Sequence, residues 1–191
     1  MARTPSTMLK LGTQAPEFTL LEPVSGSQVS LNDFKDSPLL VVFACNHCPY
    51  VLHIIDSFVS MANSYLSRGL STVWINANDV EHYPDDSPEK MVNLVQDYGF
   101  KFPYLYDQTQ QVAQSYQAAC TPDLFLFDAT HRLVYRGQYD ASRPGNNEPV
   151  SGYDLKLAID ALLAGTPVNE DQVPSLGCNV KWKAGNEPGY F

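Results

Sequence analysis

Long apolar runs are missing from this sequence. The longest, at residues 39–45, is far shorter than the roughly 20 apolar residues that a membrane-spanning helix needs. Residues 1–15 are polar and lack the apolar centre of a secretory signal. The sequence therefore predicts a cytoplasmic protein that does not span or bind a membrane.

Basic residues are also scarce. Lys and Arg number 12 against 21 Asp and Glu, so the formal net charge is −9. Proteins that bind nucleic acid or anionic lipid generally present a basic face, so this balance argues against both classes. With 191 residues, 44% of them hydrophobic and 17% charged, the chain has the composition of a globular protein. We predict a single domain over residues 1–191.

Cysteine is too infrequent to form a disulfide scaffold, since the chain has only four. Two of them, Cys45 and Cys48, form a Cys-x-x-Cys pair, which in a reducing compartment is typical of redox chemistry or metal binding. A structural zinc site needs four ligands, and no second Cys-x-x-Cys or closely spaced His pair is present. No glycine-rich phosphate loop or dinucleotide motif follows a predicted strand either. The sequence favours redox chemistry without a bound cofactor or metal, with electrons supplied by another thiol protein.

The region around the pair predicts its chemistry. An apolar run ending at Ala44 predicts a buried strand, and the residues after Cys48 carry apolar side chains at helical spacing, which predicts a helix. Unpaired N–H groups and the macrodipole at a helix start favour a thiolate. We therefore expect Cys45 to be the more exposed thiol, to have a lowered pKa and to attack the substrate, with Cys48 as the resolving thiol. His47, when protonated, would lower the Cys45 pKa further.

The remaining pattern predicts an α/β protein with a βαβ unit followed by a ββα unit. We expect a hairpin within residues 15–31, a strand at 70–76, a helix from Ser87 to Gly99 and a second hairpin at 124–137. Residues 102–106 are interrupted by proline and predict a loop or edge segment, and residues 109–116 a short helix. A final helix is predicted at residues 155–163. The acidic cluster at residues 79–89 is interpreted as a solvated loop.

Four segments together resemble a known family. They are residues 15–18 (Ala-Pro-Glu-Phe), 43–49 (Phe-Ala-Cys-Asn-His-Cys-Pro), 120–128 and 177–182. In this order they resemble the alkyl hydroperoxide reductase/thiol-specific antioxidant superfamily, in its peroxiredoxin-like branch. The resemblance implies a thioredoxin-like fold, with a central mixed sheet flanked by helices. It also implies thiol-dependent oxidoreductase or antioxidant activity on a disulfide or peroxide substrate.

Within that fold, residues 1–37 would form an N-terminal hairpin extension and residues 166–191 an extended C-terminal tail. Thr121 and Pro122 resemble the cis-proline segment that packs against the active disulfide of thioredoxin folds. Cys120, just before them, is either a small buried hydrophobe or a further redox group. Cys178 in the tail either packs or acts as a second resolving cysteine.

The sequence also departs from the family. Typical peroxiredoxins carry Pro-x-x-x-Thr-x-x-Cys, but counting back from Cys45 the threonine position is Val42, and counting back from Cys48 it is Cys45. The buried acid that thioredoxin carries before its motif is missing as well, because residues 39–44 contain no carboxylate. The pair is more similar to disulfide oxidoreductases, including the DsbA type, which also has His before its second cysteine.

Two other functions stay open. Cys45, Cys48 and either His47 or Cys178 could bind copper or zinc, as in a metal chaperone. The chain could also be a non-catalytic interaction module of thioredoxin fold. An exposed aromatic surface would allow a homodimer.

Overall fold

The structure, a computed structural model, describes residues 3–190. Strands and helices alternate along this range, which confirms the predicted α/β class. The strands are β1 (Arg3–Pro5), β2 (Thr19–Glu22), β3 (Ser27–Ser30), β4 (Leu39–Phe43), β5 (Ser71–Asn76), β6 (Tyr104–Tyr106), β7 (Cys120–Thr121), β8 (Asp123–Phe127), β9 (Leu133–Tyr135) and β10 (Leu176–Asn179). The helices are α1 (Pro49–Leu66), α2 (Pro88–Tyr98), α3 (Gln111–Ser115) and α4 (Tyr153–Leu163).

A mixed sheet of seven strands forms the centre, in the order β3-β2-β6-β5-β4-β8-β9. Strand β4 runs parallel to β5 and antiparallel to β8, so that Val41 lies opposite both Val73 and Phe125. All five side chains of β4 are buried, as expected for an apolar strand that is covered on both faces. The apolar run that precedes the cysteine pair is therefore the central strand of the sheet.

Helices cover both faces of this sheet. Because side chains alternate along a strand, Leu40 and Val42 point into one hydrophobic cluster, which also contains apolar residues of α1 and α4. Val41 and its alternate neighbours point into a second cluster with α3 and the N-terminal segment, including Phe18. The core is thus two layers separated by the sheet.

The two long helices next to the cysteine pair, α1 and α2, both begin at residues suited to a helix start. Cys48 is the N-cap of α1, and Pro49 occupies the first helical position, where a missing N–H costs nothing. At α2 the Ser87 side chain accepts a hydrogen bond from the Lys90 N–H, and the helix ends at Gly99, whose φ is 66°. The predicted start and stop of α2 are confirmed.

Two parts of the sequence interpretation are wrong. Strand β6 lies inside the sheet between β2 and β5 and is not a loop or edge segment. Pro103 does not interrupt it because that residue lies just before the strand, where its carbonyl accepts the Trp74 N–H at 3.0 Å. Residues 166–191 are not only an extended tail, since they contain β10.

Strand β10 is the middle of a second, three-stranded sheet in the order β1-β10-β7. The sheet therefore joins the N-terminal strand to a strand near the C-terminus. It forms where β10 approaches Thr121 so closely that a Cβ on Gly177 would lie 2.0 Å from the Thr121 carbonyl oxygen. Only glycine fits at this position.

Among residues 3–190, every helix is too short or too polar to cross a bilayer.

Candidate active site

The cysteine pair lies at the carboxyl end of β4, where the chain turns into α1. Cys45 follows the strand by two residues, and Cys48 caps the helix. Both residues are buried, with exposed fractions of 1% and 0%. The prediction that Cys45 is the more exposed thiol is therefore wrong, because the Cys45 sulfur lies against Thr121 of β7 in the interior.

Thr121 contacts both sulfurs of the pair. Its hydroxyl oxygen lies 3.5 Å from Cys45 Sγ, and the Cys48 thiol donates to its carbonyl oxygen at 3.1 Å. The peptide bond between Thr121 and Pro122 is cis, as the sequence predicts. The segment that follows β7 thus packs directly against the pair, and Thr121 offers one sulfur a hydroxyl and the other a carbonyl.

The two thiols influence each other more than any other group does. The contact with Cys48, followed by burial and by the Asp86 carboxylate, raises the pKa of Cys45. The hydrogen bond from Cys45 lowers the pKa of Cys48, with help from Thr121, Cys178 and the Val51 N–H and against the effect of burial. The two sulfurs therefore behave as one unit that loses its first proton easily and holds its second.

This arrangement corrects the expectation of a lowered Cys45 pKa. The helix begins at Cys48, so the unpaired N–H groups of its first turn favour a thiolate there and not at Cys45. Cys45 instead lies buried near a carboxylate, which disfavours a second negative charge.

Asp86 holds the loop between the two cysteines. It is fully buried, and its Oδ1 accepts the Asn46 N–H at 2.8 Å and the His47 N–H at 3.3 Å. Its Oδ2 accepts from the Asn78 amide at 2.7 Å and lies 2.8 Å from His47 Nδ1. His47 therefore pairs with a carboxylate, and its ring also stacks on Tyr83, with centroids 5.8 Å apart.

The sequence interpretation missed Asp86. It treated the acidic cluster at residues 79–89 as solvated, whereas Asp79 and Asp86 are both buried. Asp86 ends a short 3-10 turn just before the N-cap of α2, and this turn directs its side chain inward. The capping signal at Ser87 and Pro88 locates the turn, but nothing in the pattern shows which side chain of the cluster points toward the cysteine loop.

The other two cysteines lie beside the same proline segment. Cys120 is fully buried, its Sγ lies 3.6 Å from the Pro122 carbonyl oxygen, and burial raises its pKa. This environment agrees with the interpretation of Cys120 as a small buried hydrophobe. Cys178 lies opposite Thr121 in the pairing of β10 with β7, and burial followed by the Cys48 thiol raises its pKa. All four cysteines are free thiols.

One set of possible metal ligands occurs at this site. Sγ of Cys45, a ring nitrogen of His47 and a carboxylate oxygen of Asp86 all lie within 4.8 Å of one another. Sulfur, imidazole and carboxylate together suit zinc. The set differs from the one predicted, which had Cys48 and either His47 or Cys178 beside Cys45, because Asp86 stands in place of Cys48. Both Asp86 oxygens already accept hydrogen bonds, which a bound metal would have to displace in part.

Comparisons with known proteins identify relatives of this chain. Thiol-disulfide oxidoreductase ResA of Bacillus subtilis is 28% identical over 129 residues, which cover 64% of this chain and 64% of that protein. An uncharacterized conserved protein of Geobacillus kaustophilus has a crystal structure with a TM-score of 0.94 and 50% identity, and the match covers 96% of this chain and 97% of that one.

A thiol:disulfide interchange protein of the thioredoxin family from Chlorobium tepidum has a TM-score of 0.62 at 20% identity, and the match covers 81% of this chain and 98% of that one. This likeness shows that the fold is thioredoxin-like. The AhpC/TSA family pattern matches residues 11–136, which include the cysteine pair and the cis-proline segment. The chain therefore belongs to the AhpC/TSA family.

Proposed function

We propose that this protein is a thiol–disulfide oxidoreductase whose redox-active groups are Cys45 and Cys48. The observation that carries the proposal is the mutual contact of two free thiols at a helix start, against the Thr121–Pro122 segment. The name of the Bacillus subtilis relative supports the same activity, although the match spans only 64% of that protein.

The first step needs a thiolate on the attacking sulfur. Hydrogen bonds with Thr121 can stabilise that thiolate on Cys45. In the singly deprotonated pair, a proton that moves from Cys45 to Cys48 leaves Cys48 as a thiol that donates to the Thr121 carbonyl at 3.1 Å. The Cys45 thiolate can then accept a hydrogen bond from the Thr121 hydroxyl at 3.5 Å. Cys45 attacks one sulfur of the substrate disulfide, forms a mixed disulfide and releases the other sulfur as a thiolate.

The second step resolves the mixed disulfide. Cys48, which lies at the start of α1, loses its proton and attacks the Cys45 sulfur. The substrate leaves as a dithiol after it takes up protons, and the protein keeps a Cys45–Cys48 disulfide. The two electrons come from the cysteine pair, and a thiol protein that donates electrons would restore the reduced form.

Turnover of a protein disulfide tests this mechanism. Insulin reduction is followed with dithiothreitol as electron donor, for the wild type and for Cys45→Ser, Cys48→Ser and Cys120→Ser. We expect turnover to be lost in the first two variants and kept in the third, because Cys120 takes no part in the exchange. Cys48→Ser should accumulate a mixed disulfide through Cys45. Full activity of Cys45→Ser would overturn the proposal.

Peroxide reduction is a second possible activity of the same cysteine pair. The family name supports an antioxidant role, but Val42 stands at the threonine position and is buried in β4. The hydroxyl nearest to Cys45 comes instead from Thr121. We expect hydrogen peroxide to be consumed far more slowly than insulin disulfides are reduced. Peroxide turnover faster than disulfide turnover would make the protein primarily a peroxidase.

Metal binding is a second candidate function, favoured by the approach of Cys45, His47 and Asp86 to within 4.8 Å of one another. Its test is elemental analysis of the reduced protein after incubation with one equivalent of zinc and removal of free metal. If the site binds, zinc should be retained by the wild type and by Cys120→Ser, and lost in Asp86→Asn. A wild type that retains no zinc removes this candidate.

The cytoplasmic location, the homodimer and the thiol-protein electron donor stay predictions. Cell fractionation and sedimentation of the purified protein are the direct measurements of location and oligomeric state.

A further inference from the structure

A third thiol lies beside the cysteine pair, carried there by the small sheet. Strand β10 pairs with β7 so that Cys178 lies opposite Thr121, the residue that contacts both sulfurs of the pair. The absence of a side chain at Gly177 lets β10 come this close. Residues far apart in sequence are thus held at one spot by backbone pairing.

Cys178 and the Cys48 thiol meet at Thr121, since Cys178 pairs with that residue across the small sheet and the Cys48 thiol donates to its carbonyl oxygen at 3.1 Å. Each of the two thiols also shifts the pKa of the other, that of Cys178 upward and that of Cys48 downward, and α1 packs against β10. Cys48 therefore has a thiol neighbour on two sides, Cys45 and Cys178. Cys178 is also buried, with an exposed fraction of 3%, as Cys45 and Cys48 are.

We propose that Cys178 is a third redox residue, which exchanges with the Cys45–Cys48 disulfide by attack on Cys48. This inference rests on the proposed function, since that activity supplies the first disulfide. It assigns Cys178 the second-resolving role that the sequence left open between redox chemistry and packing.

The exchange needs no external oxidant. The Cys178 thiolate attacks Cys48 Sγ, a Cys48–Cys178 bond forms, and the Cys45–Cys48 bond breaks. Its electron pair leaves on Cys45, which takes up the proton that Cys178 has lost. One disulfide is exchanged for another, and Cys45 becomes a free thiol again while the protein stays oxidised.

The electrostatics of Cys178 favour exchange only after the pair is oxidised. Burial first, and then the hydrogen bond and the charge of Cys48, raise the pKa of Cys178 to about 12, while Lys181 acts in the opposite direction. A Cys48 sulfur in a disulfide carries no charge and no proton. Both of its contributions then disappear, so Cys178 ionises more readily in the oxidised protein than in the reduced one.

Peptide mapping separates the two disulfides directly. Trypsin leaves Cys45 and Cys48 together in residues 36–68, Cys178 in residues 157–181 and Cys120 in residues 102–132. A Cys45–Cys48 bond is therefore a loop within one peptide, whereas a Cys48–Cys178 bond links two. The reduced protein is treated with diamide, quenched in acid, alkylated and analysed by mass spectrometry.

The decisive variant is Cys45→Ser, in which Cys48 can pair only with another cysteine. We expect it to give the linked peptides 36–68 and 157–181, and this product to be lost in the double variant Cys45→Ser/Cys178→Ser. The double variant Cys45→Ser/Cys120→Ser is the matched control and should keep the link. Circular dichroism confirms that each variant is folded, and Cys178→Ala replaces Cys178→Ser if the latter does not fold.

Two failures can be told apart. If the wild type forms the Cys45–Cys48 loop but folded Cys45→Ser leaves Cys178 alkylated, the inference is overturned and the proposed function stands. If the wild type forms neither disulfide and does not reduce insulin, the proposed function fails as well.

Discussion

At the scale of single residues, Thr121 connects the parts of the site. Its hydroxyl lies against Cys45, its carbonyl lies against Cys48, and its strand partner is Cys178. One residue thus contacts each sulfur of the pair through a different group. This makes the hydroxyl a separable element of the mechanism, since it can be removed while the carbonyl stays.

Thr121→Val tests the hydroxyl. The side chain keeps its branched shape, but Cys45 loses a hydrogen bond that lowers its pKa. A hydrogen bond to a charged group contributes about 1.5 kcal/mol, so we expect insulin reduction at neutral pH to slow about tenfold. Thr72→Val is the matched control, because Thr72 is also buried and its hydroxyl has no hydrogen-bond partner among the described residues. Equal rates for the two variants would remove Thr121 from the mechanism.

Some site residues could be predicted from short sequence motifs, and others depend on contacts between distant parts of the chain. Cys45, Cys48 and the cis peptide at Pro122 were predictable because each belongs to a short motif beside a recognisable strand or helix. Asp86 was not, since its contacts with the cysteine loop join residues about 40 positions apart and depend on a 3-10 turn. The pKa order of the pair was mispredicted for a related reason. A lowered pKa at Cys45 requires the helix to begin there, but the helix begins three residues later, with Cys48 as its N-cap.

At the scale of elements, the long helices and the β8–β9 hairpin were predictable, because periodicity, caps and turns lie within each segment. The short strands β1 and β10 were not. Each has three or four residues and no alternating apolar pattern, and each is stabilised by pairing with a distant part of the chain. Strand β6 was misjudged because the effect of Pro103 depends on its position relative to the strand.

The start of β8 carries a titratable group that makes stability depend on pH. Asp123 is fully buried, and burial raises its pKa to about 7, against the hydrogen bond from the Ala119 N–H. In the unfolded chain an aspartate titrates near roughly 3.9. Between these values the folded state binds more protons, so this contribution to stability is complete at low pH and is lost as the pH rises through about 7.

Asp123→Asn should therefore flatten the pH dependence of unfolding. The amide oxygen can still accept the Ala119 N–H, but it cannot ionise. We expect the free energy of urea unfolding to fall between pH 5 and pH 8 in the wild type and to fall less in Asp123→Asn. Asp56→Asn, at an exposed position of α1, should behave like the wild type. Parallel curves for all three proteins would refute the assignment.

At the scale of the whole molecule, the two ends of the chain meet over the active site. Strand β1 from the N-terminal segment and β10 from the C-terminal segment pair with each other and with β7. The sequence predicts only a hairpin extension and a tail at these ends, because no local sequence pattern shows that they pair. Their pairing places a third thiol beside the cysteine pair. The position of that thiol therefore depends on the stability of the small sheet.

Gly177→Ala tests this coupling. The added Cβ would lie 2.0 Å from the Thr121 carbonyl oxygen, and because that atom belongs to the backbone, β10 has to move away. We expect a loss of roughly 1–3 kcal/mol in the free energy of unfolding, typical of overpacking. In a Cys45→Ser background the Cys48–Cys178 link should also be lost. Gly189→Ala, where the Cβ meets no atom within 4 Å, should change neither quantity. If Gly177→Ala is as stable as Gly189→Ala and keeps the link, the close approach of β10 does not hold Cys178 at the site.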